Sequence, residues 1–360
     1  MASKNTQKQV VKAPVKTAVK PAAKAKAPVT TRVAVSAKRA PKAAPKHVAK
    51  AAAPKSAASK AVLKPASKLH PALQAPIRVF QIYYEPWHRD LLDPAFVPLD
   101  NAGAKSELLE FSVFERLQAH EATQGAQLWG ALSWRFGEKT GMKGAELLAA
   151  IADKPGQDVY FCNPHIHNEA IYHNMWMQGE TAHPHFVALA RAVFRAAGLD
   201  EAEIGALHPS SSYSSANYFV ASPKFWALYV PFIRRVLKAA DDNLSPTLRN
   251  AFHSSAADPK GLHGGATYVP FIVERLFGYF MRTEGKALKA HKVPLLAREV
   301  ELNVHQKLLR DMKDVAHSTK SAWLAACWVN YRNLYLSQMN SEAWCAQYLR
   351  LITPTDVRFV

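Results

Sequence analysis

The first seventy residues carry 17 Lys and Arg and not one Asp or Glu, and they contain no Phe, Trp or Tyr. That split decides where a core can form. Beyond residue 70 the balance is 29 basic against 28 acidic residues, so nearly all of the formal +18 belongs to the leading segment. This segment reads KAPVKTAVKPAAKAKAPV and PKAAPKHVAKAAAPKSAASK. Pro interrupts helices, Lys repels Lys, and Ala offers little surface to bury, so residues 1–75 are expected to be a disordered basic tail. Folding must come from residues 76–360, a near-neutral stretch long enough for one large or two medium domains.

Several classes lose support at once. No apolar stretch and cleavage site follow the basic N-terminus as in a secretory signal, and no apolar run reaches the ~18–20 residues that cross a bilayer. Cys162, Cys327 and Cys345 are too few and too widely spaced for a disulfide framework or a zinc ribbon. A reducing cytoplasmic location is expected, with peripheral attachment of the tail to an anionic membrane face as a further option.

Hydrophobic periodicity places the elements. IRVFQIYY (77–84), AQLWGALSW (126–134) and DVYFCNP (158–164) read as buried strands. Between the first two lies EPWHRDLLDPAFVPLDNAG, whose three prolines suggest a loop, followed by SELLEFSVFERLQAH, a helix with Ser106 as its cap. GMKGAELLAAIADK and HPHFVALARAVFRAAGL have helical spacing. A short strand at Tyr218–Ala221 precedes a helix from Pro223, and YVPFIVERLFGYFMRTEG forms another. KVPLLAREVEL suggests a last strand, and the final sixty residues look helical. Strands alternating with helices indicate an α/β fold with a mostly parallel sheet. The expected organisation is a tail over 1–75, an α/β domain over 76–285 and a helical extension over 286–360.

No dinucleotide-binding glycine fingerprint, phosphate-loop lysine or Gly-x-Ser-x-Gly elbow is present. Three residue groups could carry chemistry. NPHIHNEAIYHNMW (163–176) holds His165 and His167 two apart, which on an extended segment puts both rings on one side, where they could ligate a metal. Asp158 opens a strand and offers an oxygen ligand for a hard cation. Glu274-Arg275 is a charged pair in an apolar helix, costly to bury unless it bonds a partner or lines a cleft, where the carboxylate could serve as a general base. Asn217, just before a strand, could add a polar contact. Trp129, Trp134, Trp176 and Trp226 are core candidates whose faces would also suit sugar rings.

Taken in order, SELLEF, WGALSWRFGEKTG, DVYFCNP, NYFVASPKFWALYVPF and VPFIVERLF resemble segments of bacterial glycosyltransferases of capsule, exopolysaccharide and O-antigen biosynthesis. The resemblance spans residues 77–285. It implies a GT-A-like, Rossmann-related sheet and a nucleotide-sugar donor, with Mg²⁺ or Mn²⁺ as the accompanying ion where one is used. It also implies a polysaccharide or glycolipid acceptor. On this view Asp100, Asn101 and Asp158 lie near the donor, and Arg135, Glu138 and Lys139 near its phosphates or the acceptor. Arg275 and Asn217 would share that cleft, and Glu274 would be the base. The 163–176 segment becomes a loop folded over the donor, with Asn163, His165, Asn174 and Trp176 bonding and stacking on a sugar. DVYFCNP has Asp-x-Tyr where such enzymes carry Asp-x-Asp, so the usual second carboxylate is missing. The tail resembles those of linker histones and bacterial histone-like proteins, which bind phosphate backbones without sequence readout. The alternative function is therefore non-enzymatic binding of nucleic acid or another polyanion through that tail.

Overall fold

The computed structural model describes residues 64–65, 70–104, 106–256, 264–354 and 356–360. Apart from 64–65 and 70–75, the expected disordered tail lies outside the described residues. The main sheet is built from β1 (Ile77–Tyr83), β2 (Val97–Asp100), β3 (Leu128–Ser133), β4 (Val159–Phe161), β5 (Phe219–Ala221) and β6 (Ala290–Lys292). Their spatial order is β2-β1-β3-β5-β4-β6, with the two-residue strand Lys64–Pro65 added antiparallel outside β2. The six run parallel except β5, which lies antiparallel between β3 and β4.

Alternation along the strands explains why both faces are covered. Phe80 and Ile82 of β1, Trp129 and Ala131 of β3, Val159 and Phe161 of β4, and Phe219 and Ala221 of β5 point into one apolar core. Val79, Leu132, Tyr160 and Val220, one residue out of step, point into a second. The first core is covered by α1 (Glu110–Gln118), and the second by α2 (Gly144–Asp153). After β4 come two short helices, α3 (Ile166–Ile171) and α4 (Met175–Ala182), then α5 (Phe186–Ala196). The long α6 (Pro223–Asn243) begins where Ser222 Oγ accepts the Phe225 N–H at 3.2 Å, with Pro223 at the first helical position. With α5, α6 and α7 (Tyr268–Arg282) complete the first core, in which Trp129 and Trp226 stack at 4.3 Å. A hairpin of α8 (Val304–Thr319) and α9 (Ala322–Met339) encloses a third cluster around Trp328 and packs on α3.

Four expectations change. The proline-rich loop after β1 contains strand β2, in which Pro98 is tolerated because only the two-residue strand lies outside it. Ser106 does not cap α1: its Oγ accepts the Leu108 N–H in a turn, and the helix starts at Glu110. KVPLLAREVEL is not a strand; β6 ends at Lys292 and a short helix follows at Leu296–Glu299. β6 also belongs to the main sheet, so a boundary at 285 would cut off its last strand. Within the described residues, no helix is long and apolar enough to cross a membrane.

Candidate functional site

Parallel strands end together, and ligands of α/β sheets collect in the crevice beyond those ends. Here a cleft of about 1150 Å³ opens at that edge. Tyr84, Trp87 and His88 line it from the segment after β1. Ser133, Trp134, Arg135 and Lys139 line it from the end of β3 through the short helix Phe136–Thr140. Glu107 and Glu110 add acid from the approach to α1 and its first turn, while Gly264, Gly265 and Thr267 contribute from the approach to α7.

The walls are held by specific bonds. His88 Nδ1 accepts the N–H groups of Tyr84 and Glu85 at 3.2 and 3.3 Å, and its ring stacks on Trp134 at 4.0 Å. Burial holds this imidazole below its usual pKa, which keeps Nδ1 an acceptor. Ser133 Oγ and Tyr218 Oη share a hydrogen bond of 3.0 Å, and burial pushes the Tyr218 phenol up. The Lys139 ammonium lies 6.0 Å from the centre of the Tyr218 ring. Arg135 grips Glu138 with two N–H donors, so the pair is neutral. Among the described lining residues, Lys139 is the Lys or Arg without a carboxylate partner.

Glu274 stands in the second turn of α7. About a fifth of its side chain is exposed, it makes no hydrogen bond among the described residues, and the nearest guanidinium, that of Arg275, is 3.9 Å away. Burial raises its pKa to about 8; Arg275 opposes the shift, and the negative charge of Glu110 adds to it. Lys139 also acts on it, so the carboxyl sits in the field of two cleft-wall residues. A carboxyl poised near neutral pH suits proton transfer.

No protein-family model, curated protein or solved structure matches this chain. Its chemistry must therefore be judged from the site alone.

The structure gathers some of the residues singled out by sequence and scatters others. Arg135, Glu138 and Lys139 line the cleft; Glu274 is not among the lining residues but feels the charges of Glu110 and Lys139, which are. Asp100 and Asn101 stand at the carboxyl end of β2 but turn to structural work. Asp100 Oδ1 accepts the Ala102 N–H at 2.9 Å, and buried Asn101 joins Arg116 to Tyr84. Asn217 is buried just before β5, with no partner for its Oδ1 among the described residues.

Asp158 is corrected outright. β5 places Ala221 opposite both Val159 and Trp129, so Asp158 lies at the amino edge of the sheet, away from the cleft. There its carboxylate accepts the Lys289 N–H at 2.9 Å and joins β4 to β6. Arg275 is likewise internal, donating to the carbonyls of Met175 and Phe271 and to Gln178 Oε1.

The 163–176 segment is not a loop over the cleft. Asn163 is fully buried and donates to Glu169 Oε1 at 2.8 Å, and Glu169 also receives the Lys292 ammonium. Asn174 caps α4 and donates to the carbonyls of Ile204 and Ala206. Trp176 has no exposed surface and packs on Phe186 and Phe194, beyond reach of any sugar. His165 precedes α3 and His167 lies within it, so the extended geometry that would align their rings does not exist. His167 instead faces a hollow of about 230 Å³ shared with Arg298 and Glu301.

Among the described residues no three His, Cys, Asp or Glu side chains converge to hold a metal. The residues named for Mg²⁺ or Mn²⁺ do not fit that ion: Asp158 is on the opposite edge, and His165 and His167, whose rings meet edge to face at 6.1 Å, are nitrogen donors with no third ligand converging on them among the described residues. Sequence reading passed over Tyr84, Trp87, His88, Ser133 and Glu110. A usable signal existed for the first three, since EPWHRD directly follows the first strand, where ligand loops of α/β sheets begin.

The buried histidines make a prediction. Burial is the main cause that lowers His165 to about 4 and His173 to about 3. Unfolded histidine takes up a proton near pH 6.5, which these folded positions refuse, so their stabilising effect holds above pH 6.5 and fades as pH falls toward 4 and 3. The melting temperature is expected to drop across that window, and less steeply in His173→Gln; calorimetry at pH 7, 5 and 4 checks both.

Proposed function

We propose that the cleft binds a nucleotide-sugar donor and that the chain transfers the sugar to a polysaccharide or glycolipid acceptor, as a glycosyltransferase-like protein. The observation that carries this reading is Glu274, a carboxyl about four-fifths buried, with pKa about 8, coupled electrically to Glu110 and Lys139 in the wall of a large cleft at the carboxyl edge of the sheet. The sheet itself, mostly parallel with helices on both faces, is compatible with a GT-A-like fold. An acceptor hydroxyl attacks the anomeric carbon and gives its proton to Glu274. The bond from that carbon to the diphosphate oxygen breaks, and the leaving diphosphate takes the electron pair beside the Lys139 ammonium. Arg135 is neutralised by Glu138 and contributes hydrogen bonds rather than charge.

Titration of the full chain with UDP-, GDP- and dTDP-sugars tests this reading, with and without Mg²⁺ or Mn²⁺. Binding of at least one donor is expected, weakened ~10-fold in Lys139→Ala, which removes a charge-assisted contact to phosphate. No binding by any donor would sink the reading.

A second reading rests on the 17 basic and no acidic residues of the first seventy. It assigns the chain polyanion binding, to nucleic acid or an anionic membrane, and predicts DNA retention that falls steeply with salt and disappears when residues 1–63 are deleted.

A further inference from the structure

Trp87 is 57% exposed, an unusual setting for the largest side chain, yet it is not loosely placed. It sits in a 3-10 segment, Pro86–Leu91, whose first position is a proline and whose N-terminal turn is closed by Glu85 and His88 bonding each other's backbone N–H groups. The indole meets Trp134 edge to face at 5.2 Å and His88 at 4.1 Å, while His88 stacks flat on Trp134. Three rings thus fix one another at the cleft wall, and the outermost keeps more than half its surface open.

We infer that Trp87, backed by His88 and Trp134, is the stacking platform for an uncharged pyranose ring of the acceptor glycan. The word acceptor rests on the transfer reading above; the platform does not. Local charge disfavours a phosphate at the indoles, because Glu85 beside Trp87 is acidic and lines the same cleft. Beside the indoles, Arg135 and Glu138 cancel each other while still offering donors and acceptors side by side, the pairing that sugar hydroxyls use. A phosphate would instead be drawn to the unpaired Lys139. Size agrees, since about 1150 Å³ exceeds the range of a typical single-ligand pocket and leaves room for a sugar ring beside a donor. A rigid aromatic face binds a ring without first paying the entropy of ordering itself.

The test uses the full chain, Trp87→Ala and Trp87→Phe. Each is titrated by NMR, following the indole N–H signals, with chitotriose, cellotriose, maltotriose and a β-galactoside trisaccharide, and separately with UDP, GDP and dTDP. Because the ring is exposed, thermal melts of both variants should match the parent. At least one trisaccharide is expected to bind, about tenfold more weakly in Trp87→Ala and within about threefold of the parent in Trp87→Phe, with nucleotide affinities unchanged. Three outcomes overturn the inference: no trisaccharide binds, Trp87→Ala leaves trisaccharide affinity intact, or it weakens nucleotide binding instead, which would mark a nucleobase platform. Trp87-dependent trisaccharide binding with no nucleotide-sugar binding would uphold the platform and reject the donor reading.

Discussion

Glu274→Gln is expected to slow sugar transfer by about 10²–10⁴ and, at alkaline pH, to raise the melting temperature. The two effects share one cause. Removing a general base costs about 10²–10⁴ in rate, and Gln keeps the shape while losing the proton acceptor. The folded carboxyl has a pKa of about 8 against an ordinary value of 4.5. Below pH 4.5 both folded and unfolded chains hold the proton, and the group contributes nothing. As pH rises toward 8 the unfolded chain loses its proton freely while the folded one resists, so stability falls, and above 8 the folded state carries a buried charge. At about 1.4 kcal/mol per pKa unit, the penalty removed by Gln is on the order of a few kcal/mol. Melting curves of parent and variant should coincide at pH 4 and separate at pH 9, while the parent's transfer rate rises through pH 8. A variant melting below the parent at pH 9 would show that Glu274 has a structural bond instead.

Gly130→Ala is expected to be the most damaging small substitution in the sheet. Gly130 of β3 faces Val220 of antiparallel β5, and a Cβ there would lie 2.0 Å from the Phe219 carbonyl oxygen and 3.0 Å from the Val220 Cα. Both obstacles are backbone, so no side chain can rotate out of the way, and the two strands would have to part. The expected destabilisation is about 4 kcal/mol or more, at the extreme of single substitutions. Urea unfolding should show a large fall in midpoint or no cooperative transition, and the loss should exceed that of Gly156→Ala, where a methyl meets nothing within 4 Å despite the left-handed backbone.

The sheet was largely legible because its strands alternate or run continuously apolar: Phe80, Trp129, Val159 and Phe219 announce themselves by residue type. β2 was hidden by Pro98, which demotes a run that only an edge position rescues. The antiparallel course of β5 was not readable, because three residues with two faces buried look the same in either direction. The site divides in the same way. Arg135, Glu138 and Lys139 line the cleft because they directly follow the carboxyl end of a strong strand. Asp158 misled because it opens its strand, and a residue that opens a parallel strand lies at the amino edge, opposite the ligand crevice. The histidine-rich stretch misled because its asparagines and Glu169 satisfy buried groups, and hydrogen-bond partners such as Lys292 lie far off in sequence.

The reversal of β5 has a consequence for how the chain can change. The stretch from residue 162 to 218 leaves the sheet after Phe161 and returns to it at Phe219, and those two residues are register partners on adjacent strands. It begins and ends at the same edge, so it is a closed excursion that the sheet pins at neighbouring points. Loop-closure entropy grows only with the logarithm of length, roughly 0.6 kcal/mol per doubling. Insertions at its exposed turns, such as the one at Gly198 after α5, therefore leave strand pairing untouched, whereas its helices α4 and α5 are fixed by the first core. The sheet, with its aromatic cleft, serves as a fixed chassis, and the exposed turns of this excursion are places where length can vary without moving it.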